Sequence, residues 1–205
     1  PLKFILTIGR MEKQKGQWHL IRAFSKIHKI YPNLKLVIVG SGSLSSYLHD
    51  LAHHLGLEKS LIFVERFINV APTIKRAEMF VLPSIFEGLP NVIVEALTLG
   101  TPVISTDCEV GPREILCSGV KKDGFEITKF GVLVPRLDGK IKQYNEPLTN
   151  EEIVLTKAIL FLHKNRELRK RLSINGKKRA LDFDAEIAKE KYIKLIKEVV
   201  SNLSL

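Results

Sequence analysis

Through the first two-thirds of the chain, short unbroken apolar runs alternate with longer stretches whose apolar residues recur every three or four positions. The runs are Phe4-Ile5-Leu6-Thr7-Ile8-Gly9, Leu34-Lys35-Leu36-Val37-Ile38-Val39-Gly40, Leu61 to Val64, Met79 to Pro83, Pro102 to Thr106 and Gly131 to Val134. Each predicts a buried strand. Between them, Leu20, Ile21, Phe24, Ile27 and Tyr31 mark a helix that Pro32-Asn33 ends. Tyr47, Leu48, Leu51 and Leu55 mark another, closed by Gly56. Val70 to Ala77 predicts a short helix, and Asn91 to Leu99 one stopped by Gly100. The Lys- and Gly-rich stretch before Gly131 reads as a polar loop. Continuous apolar strands, each followed by a helix, predict an α/β fold: a Rossmann-like, doubly wound parallel sheet covered on both faces.

The pattern changes at Thr149. Thr149-Asn150-Glu151-Glu152 spells a capping box, and helical patterning continues to about Val200 with breaks near Asn175-Gly176 and Asp182. The expected organisation is therefore a sheet domain over 1–148 and a helical appendix over 149–205 packed on it. The chain also opens inside its first strand-like run, Pro1-Leu2-Lys3-Phe4-Ile5-Leu6, which reads as a piece cut from a longer protein.

Composition narrows this picture only slightly. With 205 residues, 45% hydrophobic and 26% charged, there is enough chain for a core without staples. Cys108 and Cys117 form no framework, so free thiols in a reducing, cytoplasmic compartment are expected. No apolar run approaches the ~20 residues of a membrane span. The net charge of +10 comes partly from the basic run Lys164 to Arg179. A solvated helical face accounts for it most simply. Peripheral contact with an anionic membrane is the alternative, since such faces gain about 1 kcal/mol per charge there. Sparse aromatics and the lack of a recognised motif argue against nucleic acid.

Ligands of open α/β sheets bind beyond the carboxyl ends of the strands, and three of those ends carry loaded turns. In Gly9-Arg10-Met11-Glu12-Lys13-Gln14-Lys15-Gly16, Gly9 lets a ligand come close to the backbone, and Arg10 and Lys15 can converge on an anion. An ordinary surface turn is the competing reading. Val39-Gly40-Ser41-Gly42-Ser43 lacks the third glycine of a dinucleotide fingerprint; it is either a tight turn capped by Ser43 or part of a nucleotide cleft. In Ser84-Ile85-Phe86-Glu87-Gly88-Leu89-Pro90-Asn91-Val92-Ile93-Val94-Glu95, Pro90 suits the first turn of a helix, and Gly88 permits an unusual backbone angle before it. Free N–H groups of Leu89, Asn91 and their neighbours can then face a phosphate. Glu87 and Glu95 would repel phosphates, so their partners should be hydroxyls. The pattern asks for a ligand with an anionic middle and hydroxylated ends, as in a nucleotide diphosphate sugar.

Here the sequence resembles a known family. Glu87 and Glu95 match the E-x7-E motif of the retaining GT-B glycosyltransferases called family 4, and Gly9-Arg10 with Lys15-Gly16 matches their G-R-x4-K-G opening. Leu97 to Thr106 resembles the A-x-A-x-G-x-P-V-I segment, with Thr98 in place of the second alanine. Ser105-Thr106-Asp107-Cys108 and Gly111-Pro112-Arg113-Glu114-Ile115-Leu116 look like the branch that builds surface polysaccharides and lipid-linked oligosaccharides. The resemblance covers nearly the whole chain, but only the carboxyl-terminal, donor-binding half of such an enzyme. It implies that Arg10 and Lys15 hold the donor diphosphate and stabilise charge on it as the sugar leaves. Glu87 would contact the transferred sugar, the backbone of Gly88, Leu89, Pro90 and Asn91 the phosphates, and Glu95 the ribose diol. The base would lie against Glu65-Arg66-Phe67, where Arg66 replaces part of the usual Gly-aromatic pair and could stack as a guanidinium plane. The donor implied is a UDP-sugar, with no cofactor and no essential metal, and the acceptor would belong to an amino-terminal domain outside this chain.

Two metal-like patterns have simpler explanations. Asp182-Phe183-Asp184 spells D-x-D, but Asp184 reads as the N-cap of the last helix. His49 and His53 sit one helical turn apart without a third ligand. A phosphorylase or epimerase on a similar fold, and a non-catalytic basic binding module, are the other function classes; the first would need a cofactor lysine that nothing singles out.

Overall fold

The structure, a computed structural model, describes residues 2–65 and 69–203. In chain order the elements are β1 (Phe4–Ile8), α1 (Gln17–Ile30), β2 (Lys35–Val39), α2 (Ser45–His54), β3 (Leu61–Val64), α3 (Ala71–Arg76), β4 (Met79–Leu82) and α4 (Asn91–Thr98). They continue with β5 (Val103–Thr106), α5 (Pro112–Leu116), β6 (Gly119–Lys122), β7 (Phe125–Thr128), β8 (Val132–Val134), α6 (Asn150–Lys164), α7 (Arg166–Ala180) and α8 (Ala185–Leu203). One sheet of eight strands runs in the order β3-β2-β1-β4-β5-β8-β7-β6. All pairs from β3 to β8 are parallel, and β7 and β6 add an antiparallel edge.

Alternation along each strand sends side chains to opposite faces. Ile5 joins one core with Trp18, Phe24, Leu48 and, from α6, Leu155 and Ile159. Leu6 joins the other with Ile93, Leu97, Ile115 and Leu133. Helices α1, α2 and α6 thus cover one face and α3, α4 and α5 the other, while α7 starts in the first core with Leu168 and Leu172 and ends in the second with Ala180. This is the doubly wound α/β sheet expected from the periodicity.

The structure differs from expectation in three places. The polar loop before Gly131 contains the β6–β7 hairpin, joined by Asp123-Gly124 with φ of 51° and 92°. Two consecutive positive φ angles on Asp-Gly are the signature of a tight hairpin turn, and exposure of all four β6 residues hid the strand behind its lysines. The helix expected to break at Asn175-Gly176 is continuous: α7 runs through both. Gly176 is needed there for packing, because a β-carbon would come 2.8 Å from Leu97 Cδ2 on α4. The break falls instead at Asn165, whose side chain caps α7 by accepting from Leu168 N–H at 2.9 Å. The interruption near Asp182 is present, as a single 3₁₀ turn over Leu181–Phe183.

Candidate functional site

Strand order reverses at β1: β2 lies on one side and β4 on the other. Beyond their carboxyl ends the chain leaves in two directions, and this is the place where doubly wound sheets bind ligands. The turn Gly9–Gly16 follows β1 and the turn Pro83–Pro90 follows β4, so these segments face each other across the switch point.

Lys15 and Glu87 meet there. Lys15 Nζ lies 2.6 Å from Glu87 Oε1, with the lysine 18% and the glutamate 6% exposed. Ser84 Oγ donates to the same carboxylate oxygen at 2.6 Å. Ser84 is itself fixed from β5, where Thr106 Oγ1 donates to its carbonyl at 2.6 Å and Cys108 Sγ approaches the same oxygen at 3.4 Å. Burial pushes the Cys108 thiol up from its usual range, so it remains a protonated donor.

The two turns are also joined through their backbones. Ile85 N–H donates to the Gln14 carbonyl at 2.8 Å, and Gln14 Nε2 donates to the Phe86 carbonyl at 3.1 Å. Gln17 Nε2 donates to the carbonyls of Gly9 and Arg10, tying the start of α1 to the end of β1. Gly16 adopts φ 60° against Pro83, whose carbonyl oxygen would stand 2.3 Å from a β-carbon there. Only glycine accepts both the angle and the approach. This close packing brings Lys15 within reach of Glu87.

The remaining expected residues lie around this pair. The space over Gly9 is occupied by the Lys15 stem, 3.3 Å from where a β-carbon would be, so Gly9 makes room for the lysine. Gly88 has no left-handed φ, and a β-carbon there would meet nothing within 4 Å, so its Cα side is open. Pro90 is the N-cap of α4 and Asn91 its first helical residue, the start that the sequence predicts. The N–H groups of Gly88, Leu89, Asn91 and Val92 donate to no acceptor among the described residues. They form, with the amino end of α4, a set of donors available to an anion. Arg10 is exposed beyond the pair and enters no ion pair among the described residues. Glu95 is exposed on α4, one turn beyond Asn91. Arg66 lies outside the described residues.

The turn after β2 is tied to the turn after β1. Glu12 accepts from Ser43 N–H at 2.9 Å and Ser43 Oγ at 2.7 Å, and these bonds hold its carboxyl below its ordinary pKa. Ser43 therefore serves Glu12 rather than capping its own turn, which Ser45 Oγ closes instead through the N–H and carbonyl of Gly42. The metal-like patterns have protein partners too: His49 stacks on Phe63 at 3.8 Å, His53 pairs with Glu58, Asp182 with Arg179, and Asp184 caps α8 through Glu186 N–H.

Sequence reasoning missed the groups that hold these side chains in place. Ser84 is fully buried at the end of an apolar strand, which is the signal that could have marked it. Arg113 bridges Asp107 at the end of β5 to Glu126 on β7, at 3.0 Å to each residue. Those bonds raise the Arg113 pKa further and hold Glu126 low. Its partner Glu126 lay in the stretch read as loop. Gly111, just before α5, lies against the Gly88 carbonyl, so the β5 turn supports the β4 turn.

Comparison with known proteins adds a family. The family model for glycosyl transferases group 1 matches residues 1–132. An uncharacterized glycosyltransferase of Methanocaldococcus jannaschii is 41% identical over 200 residues, covering 94% of this chain and 47% of that protein. A GalNAc-alpha-(1->4)-GalNAc-alpha-(1->3)-diNAcBac-PP-undecaprenol alpha-1,4-N-acetyl-D-galactosaminyltransferase of Campylobacter jejuni is 30% identical over 196 residues, covering 95% of this chain and 48% of that protein. The chain thus spans about half the length of these relatives. Among solved structures, HepE of Anabaena in complex with UDP superposes with a TM-score of 0.76 at 20% identity, covering 96% of this chain and 49% of that one.

Proposed function

Because the chain belongs to the glycosyl transferases group 1 family, we propose that it is the donor-binding half of a retaining hexosyltransferase that uses a nucleotide diphosphate sugar, a UDP-sugar, to extend a glycan or lipid-linked acceptor. The observation that carries the reading is the Lys15–Glu87 pair at the topological switch point, beside the free N–H groups of Gly88 to Val92. In this reading Lys15 and Arg10 hold the diphosphate and stabilise its growing charge as the sugar leaves. An ammonium has three donors, so Lys15 keeps Glu87 while engaging phosphate. Glu87, pinned by Ser84, is presented to the sugar hydroxyls, and Glu95 to the ribose diol. No essential metal is required, because cationic side chains and backbone donors supply the charge. The acceptor belongs to a second half outside this chain, of the kind that would complete the relatives' length, and the isolated chain binds donor without transferring it.

The test is calorimetry with UDP, UDP-sugars and GDP-sugars, with and without EDTA. UDP-sugar binding insensitive to EDTA is expected. Lys15→Ala should weaken it about tenfold to a hundredfold, the loss of a charged hydrogen bond. Absence of binding to every nucleotide would refute the proposal.

The lipid-linked acceptor named for the Campylobacter relative favours a place at the inner face of a membrane. On α7, Arg169 and Arg179 are withdrawn from the basic run by carbonyls of Leu162 and Ile115. Lys170, Arg171, Lys177 and Lys178 stay exposed around Ile174 and Leu181, which are 58% and 67% exposed. Aliphatic tips inside a basic rim suit an anionic bilayer surface. No helix among the described residues is long and apolar enough to cross a membrane. Sedimentation with anionic but not neutral vesicles, lost in Lys170→Glu/Arg171→Glu, is expected; equal sedimentation of that variant would remove the membrane contact.

A further inference from the structure

The segment between β8 and α6, residues 135–148, has no regular secondary structure, yet it is held along its length. Trp18 Nε1 donates to the Lys140 carbonyl at 2.9 Å and Tyr47 Oη to the Lys142 carbonyl at 2.6 Å. Arg22 donates to the carbonyls of Gln143 and Pro147, the latter at 2.7 Å. Three side chains from α1 and α2 thus replace the backbone partners a strand or helix would supply.

Arg22 is in turn oriented by Glu152, on the first turn of α6. Arg22 and Glu152 are essentially inaccessible, as is His19. Glu152 Oε1 receives His19 Nδ1 at 2.7 Å and Arg22 Nε at 2.9 Å, while Oε2 receives Thr149 N–H at 2.9 Å. On its other side the imidazole turns Nε2 toward Asp138 of the strap, 3.5 Å away, an ion-pair approach without a hydrogen bond. Burying two charges costs more than a good apolar packing would, so this arrangement is an expensive way to anchor a surface segment.

What the strap touches explains the arrangement. Gly139 packs on Ile85, whose Cγ2 would stand 3.0 Å from a β-carbon at that glycine. At the opposite end of Ile85, Cδ1 would stand 3.1 Å from a β-carbon at Gly16. Ile85 is therefore wedged between the strap and the turn carrying Lys15, two residues before Glu87, with its N–H bound to Gln14. We propose that Glu152 is a positioning residue for the donor site: through Arg22, His19 and the strap it presses Ile85 against the Lys15 turn and sets the Lys15–Glu87 geometry. The functional half of this inference rests on the donor-binding reading above.

The experiment compares Glu152→Gln with Leu155→Ala, a core deletion on the same helix whose side chain packs in the α1 core. Amide exchange of the Ile85–Glu87 segment and UDP affinity are both measured at equal distance below each variant's melting temperature. Glu152→Gln should speed exchange at Ile85 about tenfold and weaken UDP binding about tenfold, local opening being coupled to the site. Leu155→Ala should leave both at the parent value once stability is matched. Tyr47→Phe, which removes a single strap bond, should move both in the same direction by a few-fold and serves if Glu152→Gln does not fold. Unchanged exchange at Ile85 in a folded Glu152→Gln or Tyr47→Phe, or an equal change in Leu155→Ala, would overturn the positioning role. If the parent chain binds no UDP, the donor reading falls, while exchange still decides whether the strap sets the turn.

Discussion

Replacing Gly16 with alanine probes the packing of the two donor-side turns directly. Gly16 has φ 60°, and its missing β-carbon would lie 2.3 Å from the Pro83 carbonyl oxygen. The left-handed angle costs an alanine roughly 1 kcal/mol after allowing for its smaller unfolded-state entropy. The overlap adds more. Real β-carbons essentially never come closer than 3.0 Å, so the turns must part by at least 0.7 Å (3.0 − 2.3). Overpacking of this kind typically costs about 1–3 kcal/mol, giving a total of about 2–4 kcal/mol. At about 2–4 °C per kcal/mol for a domain of this size, the melting temperature should fall by roughly 4–16 °C. Gly56→Ala is the internal control: its φ is 67° but nothing lies within 4 Å, so it carries the angular cost alone. Differential scanning calorimetry of both variants isolates the steric part by difference. Because Lys15 adjoins Gly16, UDP affinity should also fall in Gly16→Ala, and stay at the parent value in Gly56→Ala. Equal melting temperatures for the two variants would show that the turns are not packed as described.

Three other outcomes follow from the same geometry. In a Lys15→Met, Glu87→Gln cycle followed by chemical denaturation, each single change should cost about 2–3 kcal/mol and the double change less than their sum, because one partner left alone is a poorly solvated charge; strict additivity would deny the pair. Burial alone would raise Glu152, but hydrogen bonds from His19, Arg22 and Thr149 N–H outweigh it and hold it below the ordinary 4.5, as Arg113 does for Glu126. Between the ordinary and the depressed values the unfolded chain binds more protons, so this stability is complete above about pH 5 and is lost as pH falls through the folded values; a melting temperature that rises on acidification below 4.5 would contradict it. Arg113→Met should free Glu126 from its arginine and speed amide exchange at Gly119, whose N–H donates to that carboxylate, while leaving Ile85 protected; exchange there at the parental rate would remove the bridging role.

The sequence alone determined the elements whose signal is local. A six-residue apolar run such as Phe4–Gly9 has no stable alternative to a buried strand, and alternation of such runs with amphipathic stretches leaves few topologies besides the doubly wound sheet. Pairing Thr149 with Glu152 as a capping box was also legible, since both partners lie within one turn. It could not show that the Glu152 carboxylate also binds Arg22 and His19, more than a hundred residues earlier. The same distinction runs through the site. Lys15 and Glu87 were each visible as candidates, as was the α4 amino end, because residue type and spacing carry that information. Their contact, the filling of Gly9 by the Lys15 stem, the diversion of Ser43 to Glu12 and the support of Glu87 by Ser84 and Thr106 depend on which strands lie side by side. The β6–β7 hairpin escaped because β7 is buried only once it lies alongside β8, and β6 is exposed along its whole length, with two of its four residues lysine. Periodicity records which face of an element is buried; only the packed sheet decides which carboxylate meets which cation, because that depends on distances between segments that the chain order leaves free.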